Sequence, residues 1–284
     1  MQADSHAARA LTAITQGTSH RSDAIPCQDC AKVLLSADGT VFGAISDGVG
    51  SARLSHHGSA LAVTAALEAL AKMSSTDWDS VEQVALAGQC LLEHVQERAG
   101  KLASELRCRD DDLHCTLLVF AWRPSGLATM SVGDGFLVTR ENHVTAYETL
   151  SSPDRDEFDN VTFSALHRNA VDHLRCSIRH RHCPFLFASS DGLLDLVLEQ
   201  QTWQPNERFF RFVEEKIRGA PHNSDWLQSF IGSPNIAQRT ADDLSAICIC
   251  APEALAIERP PCESSFREAD AGGPTHAGDV TYET

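Results

Sequence analysis

The chain has 284 residues, 43% of them hydrophobic and 22% charged, with 23 Lys and Arg set against 39 Asp and Glu. That composition excludes wholesale disorder, and a net charge of −16 opposes the phosphates of nucleic acid and anionic lipid headgroups. No run of about 18 apolar residues is available to span a bilayer.

The opening MQADSHAARALTAITQG carries an early acid and lacks the apolar core of a secretory signal, so a cytoplasmic location with reduced cysteines is expected. Residues 1–10 read as a flexible start to a domain covering 11–251. Within residues 31–46, two short apolar runs flank Asp38-Gly39, a hairpin signal because both residues tolerate positive φ. Residues 56–73 are Ala- and Leu-rich without a breaker and read as a helix. A second helix is expected over 77–107, with Asp77 or Asp79 as N-cap.

The texture then turns to strands. Residues 114–122 and 127–139 are β-prone and separated by Arg123-Pro124-Ser125-Gly126. Residues 151–182, rich in charges and histidines, read as a long surface excursion. A buried strand at 184–190, a helix from Asn206 to Ile217 and a last strand at 244–251 complete the ordered part. Residues 252–284 are rich in Pro, Gly, Glu and Ser and read as a disordered tail. Hairpin-like strand pairs with long helices between them do not follow the regular alternation of a doubly wound fold.

Carboxylates recur at strand ends. FGAIS runs into Asp47-Gly48, MSV into Gly133-Asp134-Gly135, FLFASS into Asp191-Gly192, and Asp242-Asp243 opens LSAICIC. One Asp-Gly after a strand is most often a plain turn. Several converging carboxylates would repel one another unless a cation neutralised them, and an all-oxygen set suits Mg²⁺ or Mn²⁺ better than Zn²⁺. A zinc site from Cys27, Cys30, Cys176, His180, His182 and Cys183 lacks a paired frame and is the weaker reading.

In order, CQD (27–29), SDGVG (46–50), HCTL (114–117), SVGDG (131–135), SSDGLLD (189–195) and DDLSAI (242–247) resemble the motifs of metal-dependent protein phosphatases of type 2C. GTSHRSDAIPCQD (17–29) is similar to the bacterial branch of that family. The resemblance implies an α+β fold, a central sandwich of two antiparallel sheets flanked by helices on both faces. It implies hydrolysis of phosphoserine and phosphothreonine by a water bridging two Mn²⁺ or Mg²⁺ ions. It further implies a phosphoprotein substrate, an opposing serine/threonine kinase and a monomeric enzyme.

Carried over by similarity, Asp47, Asp191 and Asp242 are the catalytic metal ligands, joined by the Gly48 carbonyl. Asp134 holds a weaker third ion beside Asp191, and Gln28 and Asp29 stand where the family has an acidic pair. Departures from the pattern bear on metal and phosphate binding. Gln28 is neutral where Glu is usual, Val49 replaces a His proposed as general acid in some members, and Gly135-Phe136 replaces Ser-Arg. The Arg that eukaryotic members place before the acidic pair has no counterpart at Ala24 or Ile25, which leaves Arg21 and His20 as candidates for the substrate phosphate. A non-catalytic member that binds a partner or a phosphorylated protein is the alternative.

Overall fold

The computed structural model describes residues 8–73, 78, 80–152, 162–199, 201–219 and 225–252. In chain order the elements begin with β1 (Arg9–Thr15), α1 (Thr18–Ser22), β2 (Cys30–Leu35), β3 (Val41–Ser46), α2 (Ser55–Leu70) and α3 (Val81–Leu106). Then come β4 (Leu117–Arg123), β5 (Gly126–Val132), β6 (Phe136–Arg140), β7 (Glu148–Ser151), β8 (Arg175–Arg179) and β9 (Phe185–Ser189). The chain closes with α4 (Leu194–Val197), α5 (Glu207–Gly219), α6 (Trp226–Ile231), α7 (Pro234–Ala237) and β10 (Leu244–Cys250). No helix among the described residues is long and apolar enough to cross a membrane.

Two five-stranded antiparallel sheets run β1-β10-β9-β6-β7 and β2-β3-β4-β5-β8. Their central strands are buried at almost every position because both faces are covered. In β4, Leu118, Phe120 and Trp122 point between the sheets while Leu117, Val119 and Ala121 meet α2 and α3. In β9, Leu186 and Ala188 point inward while Phe185 and Phe187 pack against Phe210 of α5. Alternation of period two thus feeds three apolar layers, one between the sheets and one under each helical cover. The architecture is the four-layer α-β-β-α sandwich expected from the sequence.

The 31–46 hairpin forms as β2 and β3, closed by Gly39 at φ 84° with the Thr40 N–H donating to Asp38. The long helices also form, α2 ending three residues short of the expected limit. The cap of α3 is Ser80, whose hydroxyl accepts the Gln83 N–H at 3.2 Å, and not Asp77 or Asp79, which lie outside the described residues. The run 127–139 breaks at Gly133-Asp134-Gly135, which carries the chain from one sheet to the other. The excursion at 151–182 is a correction: Arg175–Arg179 is a regular edge strand paired with β5, and residues 153–161 lie outside the described residues. β1 begins at Arg9, inside the expected flexible start, and residues 1–7 and 253–284 again lie outside the described residues.

Gly43 of β3 faces Phe120 of β4 in register, and a Cβ there would fall inside the Phe120 ring. The bare glycine lets that ring lie across its partner strand in the layer between the sheets. Gly43→Ala should therefore destabilise the protein by about 1–3 kcal/mol through overpacking, read as a lower denaturant midpoint with an unchanged slope.

Candidate active site

Antiparallel register gathers the acids. Cys30 of β2 pairs with Ser46 of β3, so Asp29, just before one strand, sits beside Asp47, just after the other. Val132 at the end of β5 pairs with Leu117 at the start of β4, which places Asp134 on the same side. In the facing sheet Ser189 ends β9 opposite Ala246 of β10, so Asp191 and the Asp242-Asp243 pair leave from that rim as well. One end of the sandwich therefore collects acids from both sheets.

Asp47, Asp134 and Asp191 each offer an oxygen, and these oxygens lie within 4.8 Å of one another. Neighbouring groups fix each carboxylate. Thr116 clamps the Asp47 backbone, its hydroxyl accepting the Asp47 N–H at 3.0 Å and its own N–H donating to the Asp47 carbonyl at 2.8 Å. Ser190 donates its hydroxyl to Asp29 Oδ2 at 2.6 Å, and Thr162 donates to Asp134 Oδ2 at 2.8 Å. Arg175 reaches from β8 to the Gly133 carbonyl and lowers the cost of charge on Asp134. Gly133 stands at φ 105°, where a Cβ would meet the Thr116 methyl at 2.6 Å, so the turn that presents Asp134 accepts no side chain. A Cβ on Gly48 would likewise meet Ser55 Cβ at 2.6 Å.

The electrostatics are those of a cation cage. Burial, then the charges of Asp134, Asp242 and Asp29, pushes the Asp191 carboxyl up to about 8. Burial and the adjacent Asp29 and Asp191 hold Asp47 well above the carboxylate range, and burial raises Asp29 and Asp134 as well. Asp29 and Asp47 raise the cost of each other's charge, so a cation beside them would be favoured. Buried Oδ1 atoms of Asp29, Asp134 and Asp191 have no hydrogen-bond donor among the described residues. Unsatisfied, inward-facing carboxylate oxygens with no nitrogen or sulfur among them fit a hard divalent cation.

The other expected residues fall around this cluster. Gly48 follows Asp47, and its N–H donates to the Gln28 carbonyl at 3.2 Å. Gln28 is buried with its Cβ against Gly48, and its N–H donates to Asp243. Asp242 is exposed at the mouth, close enough for its charge to raise Asp134 and Asp191 but outside the tight trio. His20 is bonded to Asp243, and Arg21 is exposed with its guanidinium on the Gln16 carbonyl. Among the described residues no other group of three His, Cys, Asp or Glu side chains meets the same test, so the Cys/His zinc set does not assemble. Thr162 and Arg175 carry no signal in the sequence, and Thr116, Ser190 and Asp243 lie within the quoted motifs without an assigned role, since hydroxyls and a second Asp have no spacing signature.

The Asp191 shift has a direct thermodynamic consequence. The folded chain keeps that proton up to about pH 8, whereas the unfolded chain releases it near its ordinary value of 3.8, so stability falls as pH rises between those limits. Chelator-treated protein should melt at a lower temperature at about pH 8 than at about pH 5, and Asp191→Asn should flatten that fall. Adding Mn²⁺ should raise the melting temperature most at the alkaline end, as measured by calorimetry. An equal melting temperature at both pH values would show that the carboxylates do not crowd one another.

A family model described as protein phosphatase 2C matches residues 16–231. Serine/threonine-protein phosphatase 3 of Escherichia coli (strain K12) is 27% identical over 246 residues, covering 83% of this chain and 95% of the relative. The fold is similar to a serine/threonine phosphatase from Streptococcus agalactiae ("S. agalactiae"), at TM-score 0.60, 15% identity, and coverage of 86% of this chain and 99% of that one. A serine/threonine phosphatase from Staphylococcus aureus gives TM-score 0.60 at 11% identity, covering 86% of this chain and 95% of the other. With the family model spanning most of the residues that build the sandwich and its acidic rim, the chain belongs to the protein phosphatase 2C family of metal-dependent enzymes.

Proposed function

We propose that this protein hydrolyses phosphoserine and phosphothreonine in protein substrates, using Mn²⁺ or Mg²⁺ held at the acidic rim. The observation that carries the reading is the trio Asp47, Asp134 and Asp191, with oxygens within 4.8 Å and two of those carboxylates bearing buried, unpartnered oxygens. Asp47, Asp191, Asp242 and the Gly48 carbonyl would hold the principal pair of ions, with Gln28 and Asp29 beside the second. Asp134 with Asp191 would hold a weaker third. Bound there, divalent ions supply an activated water and offset charge developing on the phosphoryl oxygens.

The chain's own groups do the positioning. Thr116 and Ser190 hold Asp47 and Asp29 against their mutual repulsion, and Thr162 orients Asp134. Arg21 is exposed on α1, and its fork suits two phosphate oxygens, so it is the candidate for drawing the phosphate in. The net charge of −16 favours substrate segments rich in Lys and Arg. A serine/threonine kinase acting on the same segments completes the proposed cycle, in the cytoplasm and with the phosphatase as a monomer.

Purified protein should hydrolyse para-nitrophenyl phosphate and a phosphoserine peptide with Mn²⁺. Chelator and Asp191→Ala should each reduce the rate to background. Binding of the phosphopeptide without turnover would establish the non-catalytic alternative instead. Gln28→Glu adds a carboxylate to the site and should lower the Mn²⁺ concentration for half-maximal rate by about tenfold, whereas equal values would place residue 28 outside the metal shell.

A further inference from the structure

Asp243 is buried, 2% exposed, and accepts three donors from the segment before β2. The Gly17 N–H donates to Oδ1 at 2.6 Å, while Oδ2 takes the Gln28 N–H at 2.5 Å and His20 Nδ1 at 2.9 Å. An ionised carboxylate only accepts, so Nδ1 of His20 carries the proton in this contact. The Ser19 N–H and hydroxyl both donate to the Ala241 carbonyl, at 3.1 and 2.7 Å. Gly17 packs so closely on the backbone of residues 241–242 that a Cβ would not fit.

These bonds fasten residues 17–28 to the start of β10, and the fastening continues into the site. The Gln28 carbonyl accepts the Gly48 N–H, and the next residue is Asp29, which Ser190 holds and which strand register sets beside Asp47. DDLS in this chain stands where the family's pattern reads Asp-Asn-Ile/Met-Ser/Thr, so residue 243 is a carboxylate in place of an amide. An amide accepts at one oxygen alone and would turn its NH₂ toward one of the two backbone donors. Both carboxylate oxygens are used here, and the doubly loaded one serves His20 and Gln28 together.

We propose that Asp243 and His20 are positioning residues that clamp the 17–28 segment and thereby set Gln28, Asp29 and Gly48 for the second metal ion, a role that rests on the phosphatase reading above. Neither residue touches the substrate in this scheme. His20 acts through its Nδ1 bond, so a side chain that reproduces that one donor should replace it. Losing a partner of this kind weakens metal binding by about 10–100-fold in comparable sites.

The test uses the full chain and four proteins: wild type, Asp243→Asn, His20→Ala and His20→Asn, the last offering an amide N–H in place of Nδ1–H. Amide exchange by NMR in chelated protein should show protection lost by at least about tenfold at Gly17 or Gln28 in Asp243→Asn. Calorimetric Mn²⁺ titration should show the weaker of two sites weakened about tenfold in Asp243→Asn and His20→Ala, and restored to within about threefold in His20→Asn. At saturating Mn²⁺, kcat of Asp243→Asn should stay within about threefold of wild type, the loss appearing in the Mn²⁺ requirement. Wild-type exchange and Mn²⁺ affinity in Asp243→Asn would overturn the clamp, and so would His20→Asn behaving as His20→Ala. If exchange and Mn²⁺ binding shift as expected but wild type hydrolyses no phosphoester, the clamp stands and the phosphatase reading fails.

Discussion

Repulsion between carboxylates is the constraint on which this site is built. Buried Asp29 and half-buried Asp47, Asp134 and Asp191 press together at one end of a sandwich, and each is raised from its ordinary range by desolvation and by its neighbours. A flexible loop would relieve that strain by moving apart. Here each acid leaves a strand end or a turn fixed by cross-strand register, and hydroxyls of Thr116, Ser190 and Thr162 hold the arrangement. The fold spends stability to keep negative charge concentrated, which is what a strong divalent cation site requires.

The apolar layers explain how so stiff a frame arises. Strands covered on both faces cannot slip by one residue without exchanging an inter-sheet side chain for one that meets a helix. Phe120 and Phe187 occupy different layers, and neither environment accepts the other's neighbours. The position of every strand tip, and so of every acid, is inherited from that packing.

Much of this was legible in the chain. Apolar runs ending in Asp-Gly marked β3, β9 and the β5–β6 junction, and the ordered motifs supplied the family. What stayed hidden has physical causes. β1 and β8 are half-exposed edge strands of mixed sequence, RALTAIT and RCSIR, which carry no buried-strand signature. The doublet Asp242-Asp243 divides into an exposed rim acid and a buried acceptor, and identical neighbours give no sign of which is which. His20 and Asp243 meet across 223 residues, a contact fixed by tertiary docking alone. At α3, Ser80 follows the expected aspartates and takes the cap because its hydroxyl meets the Gln83 amide.

The three-residue passage Gly133-Asp134-Gly135 joins one sheet to the other and places a cluster carboxylate at the joint. Too short to stretch, such a link acts as a hinge pin: shear of the two layers past each other would drag Asp134 away from Asp47 and Asp191. An ion held by all three, as proposed above, would resist that shear and brace the joint between the layers.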